Sequence, residues 1–140
     1  MELYSVALQV PHHISIHGGL HPSRVITVSG TVPENAQRFH INLCTERDIA
    51  FHFNPRFDQN SVVCNTQIQG IWGTEERKLP VNMPFRRGQS FTVAITCEAD
   101  HYSVSVDDQH LLDYTHRLPE LQTIVHLEMG GDFELSKVSV

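Results

Sequence analysis

Two-residue alternation of apolar and polar side chains recurs along the chain, and turn residues rather than helical stretches interrupt it. In Gln37-Arg38-Phe39-His40-Ile41-Asn42-Leu43, the residues Phe39, Ile41 and Leu43 fall on one side of an extended chain. Arg38, His40 and Asn42 fall on the other. Phe51-His52-Phe53-Asn54-Pro55-Arg56-Phe57 splits the same way, aromatic rings in one direction and His52, Asn54 and Arg56 in the opposite one. Phe91, Val93, Ile95 and Cys97 alternate with Ser90, Thr92, Ala94 and Thr96, and Tyr102, Val104 and Val106 alternate with Ser103, Ser105 and Asp107. Further strands are predicted through Val25–Val28, Ser61–Thr66, Thr123–Met129 and Phe133–Val140. The breaks carry turn chemistry: Ser29-Gly30, Pro33-Glu34-Asn35, Arg87-Gly88-Gln89, Asp107-Asp108 and Gly130-Gly131-Asp132. Many short strands with frequent turns predict an all-β fold, an antiparallel sandwich or barrel. Without an internal repeat, a low-complexity tract or a linker, residues 1–140 read as a single domain.

Composition narrows the function classes. A chain of 140 residues with 40% hydrophobic and 19% charged residues can bury a real core and is not disordered. A net charge of −6 with only ten Lys and Arg gives phosphate backbones little to bind, so no nucleic-acid partner is expected. No apolar run is long enough for a transmembrane helix, and Met1-Glu2-Leu3-Tyr4-Ser5 lacks the basic and apolar regions of a signal peptide, so membrane insertion is not expected and synthesis in the cytosol is. Cys44, Cys64 and Cys97 are widely spaced and form no CxxC pair; they read as reduced thiols packed in or beside strands, with Cys44 and Cys64 open to oxidation if exposed. His13, His17 and His21 have helical spacing, but Gly18-Gly19 and Pro22 make a helix there improbable, and the remaining histidines are scattered. No metal and no cofactor are expected on that pattern.

The chemistry-bearing residues are polar and directional. Solvent-facing strand positions need only be soluble, yet His52, Asn54 and Arg56 form a row of donors and acceptors of differing geometry. Pro55 cannot donate to a ladder, which suits an edge, a bulge or a strand end. A second group follows: Asn65, then Trp72 in Gly70-Ile71-Trp72-Gly73, then Glu75 and Arg77. The glycines beside the lone tryptophan leave its ring accessible. Such a set suits a sugar, whose hydroxyls both donate and accept and whose C–H face packs on an aromatic ring. The axial 4-hydroxyl of galactose leaves that C–H patch flat, so one exposed indole beside His, Asn and Arg can tell galactose from glucose.

At these residues the chain resembles a known family. His52-Phe53-Asn54-Pro55-Arg56-Phe57, Val63-Cys64-Asn65-Thr66 and Trp72-Gly73-Thr74-Glu75-Glu76-Arg77 are similar, in order and spacing, to the galectin signature. The likeness runs over about residues 15–140 and includes Met83-Pro84-Phe85 with Gly88, Asp113-Tyr114-x-His116-Arg117-Leu118-Pro119 and Gly131-Asp132. Within the family, Arg38–Cys44 and Asn65-Thr66-Gln67-Ile68 resemble most closely the C-terminal domain of galectin-9.

The resemblance implies a two-sheet β-sandwich of jelly-roll type, like concanavalin in architecture, with the site on its concave face. It implies that His52, Asn54 and Arg56 hold the galactose 4-hydroxyl, that Arg56 also reaches the ring oxygen, and that Asn65 and Glu75 take the 6-hydroxyl. Trp72 would stack under the ring, while Glu75 and Arg77 orient Arg56 and meet the next sugar. Arg38, His40 and Asn42 would line the groove beyond galactose. The implied partners are β-galactoside glycans and glycoproteins, bound without calcium, with a second copy or a tandem-repeat domain as possible associates. Localisation is implied to be cytoplasmic, with export by a route that needs no signal peptide.

Two other readings compete. A glycoside hydrolase needs two carboxylates about 5–5.5 Å apart in one retaining site. Adjacent strand residues such as Glu75 and Glu76 point to opposite faces, and Arg77 beside Glu75 favours its ionised form, the wrong state for a general acid. No catalytic residue is therefore assigned. The other rival is an interaction protein on the same fold with a vestigial sugar site, against which the complete signature speaks.

Overall fold

In the computed structural model, which describes residues 3–4, 9–78 and 83–140, the alternation resolves into two antiparallel sheets. Met1, Glu2 and Ser5 of the N-terminal segment considered above lie outside the described residues. The strands are β1 (Leu3–Tyr4), β2 (His12–Ser15), β3 (Val25–Thr31), β4 (Phe39–Cys44), β5 (Ile49–Arg56), β6 (Ser61–Ile68) and β7 (Ile71–Trp72). They continue as β8 (Glu76–Lys78), β9 (Ser90–Cys97), β10 (His101–Val106), β11 (Gln109–Thr115), β12 (His126–Gly131) and β13 (Glu134–Ser139). Among the described residues one sheet runs β1-β13-β3-β9-β10-β11, and the other β2-β12-β4-β5-β6-β7 with β8 paired to β6.

The apolar sides of both sheets meet in one core, and aromatic rings cross it. Phe39 of β4 stacks on Phe91 of β9 at 5.2 Å between centroids and meets Phe85 edge-on at 5.3 Å. Phe51 of β5 stacks on Tyr102 of β10 at 4.8 Å and on Tyr114 of β11 at 4.9 Å. The buried Tyr114 hydroxyl lies 2.6 Å from the Thr66 hydroxyl, so its polar end is satisfied where its ring is desolvated.

One irregularity sets the phase of β5. Leu43 pairs with Phe51 but Cys44 pairs with Ile49, so Ala50 is an extra, bulged residue. Its carbonyl accepts from the Thr66 hydroxyl at 2.9 Å. The bulge lets Ala50 and Phe51 both be buried and then starts an alternation in which Phe51 and Phe53 point inward. His52, Asn54 and Arg56 are thereby turned to the outer face.

The structure corrects several strand boundaries and turns. The strand expected over Thr123–Met129 begins at His126, because Leu121–Thr123 closes a short 3-10 turn that buries Leu121. Ser29-Gly30 is not a turn but lies inside β3: a side chain at Gly30 would collide with the Phe133 ring and the Glu134 carbonyl of the strand beside it. Gly130 and Gly131 likewise end β12 rather than break it, leaving the turn to Asp132. Strands β1, β2, β7, β8 and β11 escaped the alternation pattern, the first four because two to four residues are too few to show a period. Asp107-Asp108 is the expected tight turn, with φ of 51° and 67° joining β10 to β11. Pro55 sits one residue from the end of β5, opposite Val62, as a strand-end proline should.

Phe53, 0% exposed, tests the phase of β5. Phe53→Ala is expected to lower unfolding free energy by about 3–5 kcal/mol in denaturant melts. Trp72→Ala, on the outer side of the same sheet, is expected to lose much less; the reverse order would invert the assigned faces.

Candidate functional site

The outer face of the seven-stranded sheet carries a groove of about 580 Å³ lined by Arg38, His40, His52, Asn54, Arg56, Asn65, Trp72, Gly73 and Glu75. Strand register brings most of these residues together, and the loop between β7 and β8 adds Gly73 and Glu75. His13 of β2, Glu128 of β12, Asn42 of β4, His52 of β5 and Asn65 of β6 form one continuous cross-strand row. Hollows of comparable size near Met83 and His110, and between Glu46 and Val125, place no such set of donors beside an aromatic ring.

Arg56 is held on three sides. Its Nε donates to Asn54 Oδ1 at 2.8 Å, one Nη to Gln59 Oε1 at 3.2 Å and the other to Glu75 Oε2 at 3.3 Å. Glu75 Oε1 accepts from Arg77 at 3.0 Å, and Arg77 also donates to Gln59 Oε1 at 2.7 Å. Glu75 is well exposed, so these ion pairs add little Coulombic stability; their effect is to hold two guanidinium planes in place. Burial, then the nearby Arg38 charge, lower the Arg56 pKa, with Glu75 opposing them.

The two asparagines are buried and largely committed to the protein. Asn54, 5% exposed, donates through Nδ2 to the Phe39 carbonyl at 2.7 Å. That side-chain bond bridges β5 to β4 beside Pro55, which has no N–H to offer. Asn65, 3% exposed, donates to the Gly73 carbonyl at 2.9 Å and accepts from Thr66 N at 2.8 Å and Arg117 at 3.0 Å. Each amide nitrogen retains a second hydrogen, so each side chain still has a donor to give a ligand.

His52 Nδ1 lies 2.6 Å from Asn42 Oδ1, and its ring lies 4.7 Å from that of Trp72. Burial, reinforced by His40, pushes its pKa down to about 4, although Asn54 and Glu128 pull the other way. The imidazole is therefore neutral at ordinary pH. Trp72 is 45% exposed at the groove wall. At Gly73 beside it, a Cβ would press on Arg117 Nη1 and crowd Asn65 Oδ1, so one of them would have to shift.

Of the residues expected to extend the groove, Arg38 pairs with Asp58 at 2.8 Å and lines the wall. His40 lies over Gly130, where a Cβ would meet its ring, and its Nε2 approaches Glu128 Oε2 at 3.1 Å. Asn42 is on the expected face but is buried, reaching Glu128 Oε1 at 2.7 Å. Glu75 and Glu76 engage different arginines, Glu75 with Arg56 and Arg77 and Glu76 with Arg117 at 2.9 Å. Cys64 is buried, and burial pushes the Cys44 thiol up to about 12, far from a reactive thiolate. Among the described residues no group of three or more His, Cys, Asp or Glu side chains could hold a metal ion.

Glu128, Gln59 and Arg117 were not singled out from the sequence. Glu128 is legible only as an outward residue between Leu127 and Met129, since its neighbours belong to β4 and β2. Arg117 reaches Asn65, the Thr74 carbonyl and Glu76 from the loop after β11, so it clamps the segment carrying Trp72 and Glu75. Its place in the Asp113–Pro119 motif was the available signal.

A two-sheet sandwich bearing an open groove of oriented donors and acceptors beside an exposed indole has the architecture of a lectin. The profile of the galactoside-binding lectin family matches residues 11–140, and the chain belongs to this family, the galectins. It is 43% identical over 136 residues to galectin-3 of Cricetulus longicaudatus, a match covering 95% of this chain and 55% of that protein. The chain thus spans about half the length of the galectin-3 relatives it matches. Human galectin-7 is 44% identical over 135 residues, covering 94% of this chain and 97% of its own. Among solved structures, Caenorhabditis elegans galectin LEC-6 superposes with a TM-score of 0.88 at 28% identity, over 99% of this chain and 96% of that one. Sheep galectin-11, solved with glycerol, gives 0.85 at 26% identity, over 94% and 98%.

The low pKa of His52 makes a directional prediction. The unfolded chain binds this proton below about 6.5 and the folded chain only near 4, so the contribution of His52 to stability is complete above 6.5 and is lost as pH falls toward 4. Ring chemical shifts followed by NMR should show His52 titrating near 4; a midpoint near 6.5 would contradict the buried environment.

Proposed function

We propose that this chain binds β-galactosides non-covalently and without calcium, and catalyses no reaction. The observation that carries the reading is the fixed Arg56 guanidinium, held by Asn54, Gln59 and Glu75 beside the exposed Trp72 ring. A guanidinium already oriented loses little freedom on binding, so its hydrogen bonds to a hydroxyl are gained at low entropic cost. In this reading His52, Asn54 and Arg56 converge on the galactose 4-hydroxyl, with Arg56 extending to the ring oxygen. Asn65 and Glu75 take the 6-hydroxyl, Trp72 lies under the C–H face, and Arg77 with Glu75 meets the next sugar. Arg38, His40 and Asn42 serve longer glycans, Asn42 from beneath through the residues it holds.

The rest of the proposal is coarser. The likeness of Arg38–Cys44 and Asn65–Ile68 to the C-terminal domain of galectin-9 remains the subfamily reading, and residues 1–140 are read as one carbohydrate-recognition domain. By likeness to the family, the reading also takes a cytoplasmic location with export independent of a signal peptide, and cross-linking of glycoconjugates by a homodimer or by a tandem partner domain.

Retention on immobilised lactose in EDTA, with elution by free lactose, tests the reading; elution by EDTA alone, or cleavage of a galactoside polymer, overturns it. Arg56→Ala removes the charge-assisted hydrogen bonds that its guanidinium would give the sugar, each contributing about 1.5–3 kcal/mol. A lectin of millimolar to micromolar affinity has only about 4–8 kcal/mol in total. Arg56→Ala and Trp72→Ala should therefore each abolish retention while the thermal melt stays cooperative. Lactose affinity should stay level from pH 7 through 6 and weaken only as His52 protonates near 4.

A further inference from the structure

The row of side chains across β12, β4 and β5 determines which nitrogen of His52 carries its proton. Glu128 is half-buried; burial alone would favour its neutral form, but hydrogen bonds from His40 and Asn42 outweigh this and hold its pKa below the ordinary value. An ionised carboxylate only accepts hydrogen bonds. The Asn42 group 2.7 Å from Glu128 Oε1 must then be the amide NH₂, which turns Asn42 Oδ1 toward His52. That oxygen in turn only accepts, so the His52 Nδ1 atom 2.6 Å away must be the protonated one. The other carboxylate oxygen, 3.1 Å from His40 Nε2, draws a proton to that nitrogen as well.

We propose that Glu128, acting through Asn42, is a positioning residue that locks His52 as the Nδ1–H tautomer and so presents a bare Nε2 lone pair to the groove. The consequence rests on the sugar reading above. A hydroxyl donates one proton and accepts at two lone pairs. Arg56 can only donate, and the Asn54 amide nitrogen beside it can only donate too. If both aim at one galactose hydroxyl, that hydroxyl's own proton needs an acceptor, and His52 Nε2 in this tautomer supplies it. In the opposite tautomer three donors would converge on one oxygen and its proton would go unmatched. Glu128 lies two strands from β5 and need not touch galactose, so its effect is carried by orientation.

The test is nitrogen-15 NMR of the histidine rings in the sugar-free protein, together with lactose calorimetry, on the wild type, Glu128→Gln and Glu128→Lys. The wild type should show His52 as Nδ1–H. Glu128→Gln keeps an acceptor for Asn42, so tautomer and lactose affinity should both be retained. Glu128→Lys offers only donors, so Asn42 reverses, His52 becomes Nε2–H and lactose affinity falls about tenfold, the size of one lost hydrogen bond. An Nε2–H signal in the wild type overturns the proposal even if the lysine variant does not fold. So does a lysine variant that swaps tautomer without losing affinity, or that keeps Nδ1–H. Absence of lactose binding by the wild type would overturn the sugar reading and with it the role of the tautomer in binding, while the ring signals would still decide whether Glu128 sets that tautomer.

Discussion

Burial of Phe51 and Phe53 between the two sheets fixes the direction of every polar side chain that follows in β5. A strand has a period of two, so a slip of one residue would send both rings to water and bring His52, Asn54 and Arg56 into the core. Phe51 stacked on Tyr102 and Tyr114, and Phe53 packed edge-on to Phe85, make that slip prohibitive. The bulge at Ala50 is the device that lets β5 enter the sheet in this phase, and the Thr66 hydroxyl on its carbonyl secures it. Core packing and site geometry are thus one constraint seen from two faces.

The polar groups that line the groove are already hydrogen-bonded to the protein. Asn54 and Asn65 lie almost wholly buried, each tied to a backbone carbonyl, and each lends its side-chain oxygen to an arginine. Gln59 Oε1 accepts from Arg56 and Arg77 together, and Glu75 bridges the same two guanidiniums. Arg117 performs the equivalent task beneath the Trp72 segment, where Gly73 leaves it room. Side chains held in this way have little freedom left to lose on meeting a ligand.

The same network gives each carboxylate of the groove its own partners. Glu75 faces Arg56 and Arg77, and Glu76 faces Arg117, so the adjacent carboxylates do not share one site. Glu128 is kept ionised by its donors and faces a histidine and an amide. Among the described residues, Glu75, Glu76 and Glu128 are thus committed to orienting arginines, an amide and a histidine.

Alternation and motif made much of this protein readable before its fold was known. The inward and outward sides of β4, β5, β9 and β10, the two-residue turn at Asp107-Asp108 and the row His52, Asn54, Arg56 with Trp72 all follow from the order of residue types, because strand period and turn chemistry are local properties. Ser29-Gly30 and the start of β12 were misplaced for the complementary reason. Gly30 is small because Phe133 and Glu134 of another strand press on it, and Ile124 and Val125 read as strand although Leu121 folds the preceding turn into the core. The partners of Arg56 and Asn65 include residues near in sequence and residues far from it: strand register brings Glu128 to Asn42, and the loop after β11 brings Arg117 to Asn65 from 52 positions away. Residue order alone therefore determined which side chains would face the groove. Which of them hold one another, and so which lone pairs and protons remain for a ligand, was decided by the pairing of strands distant in the chain.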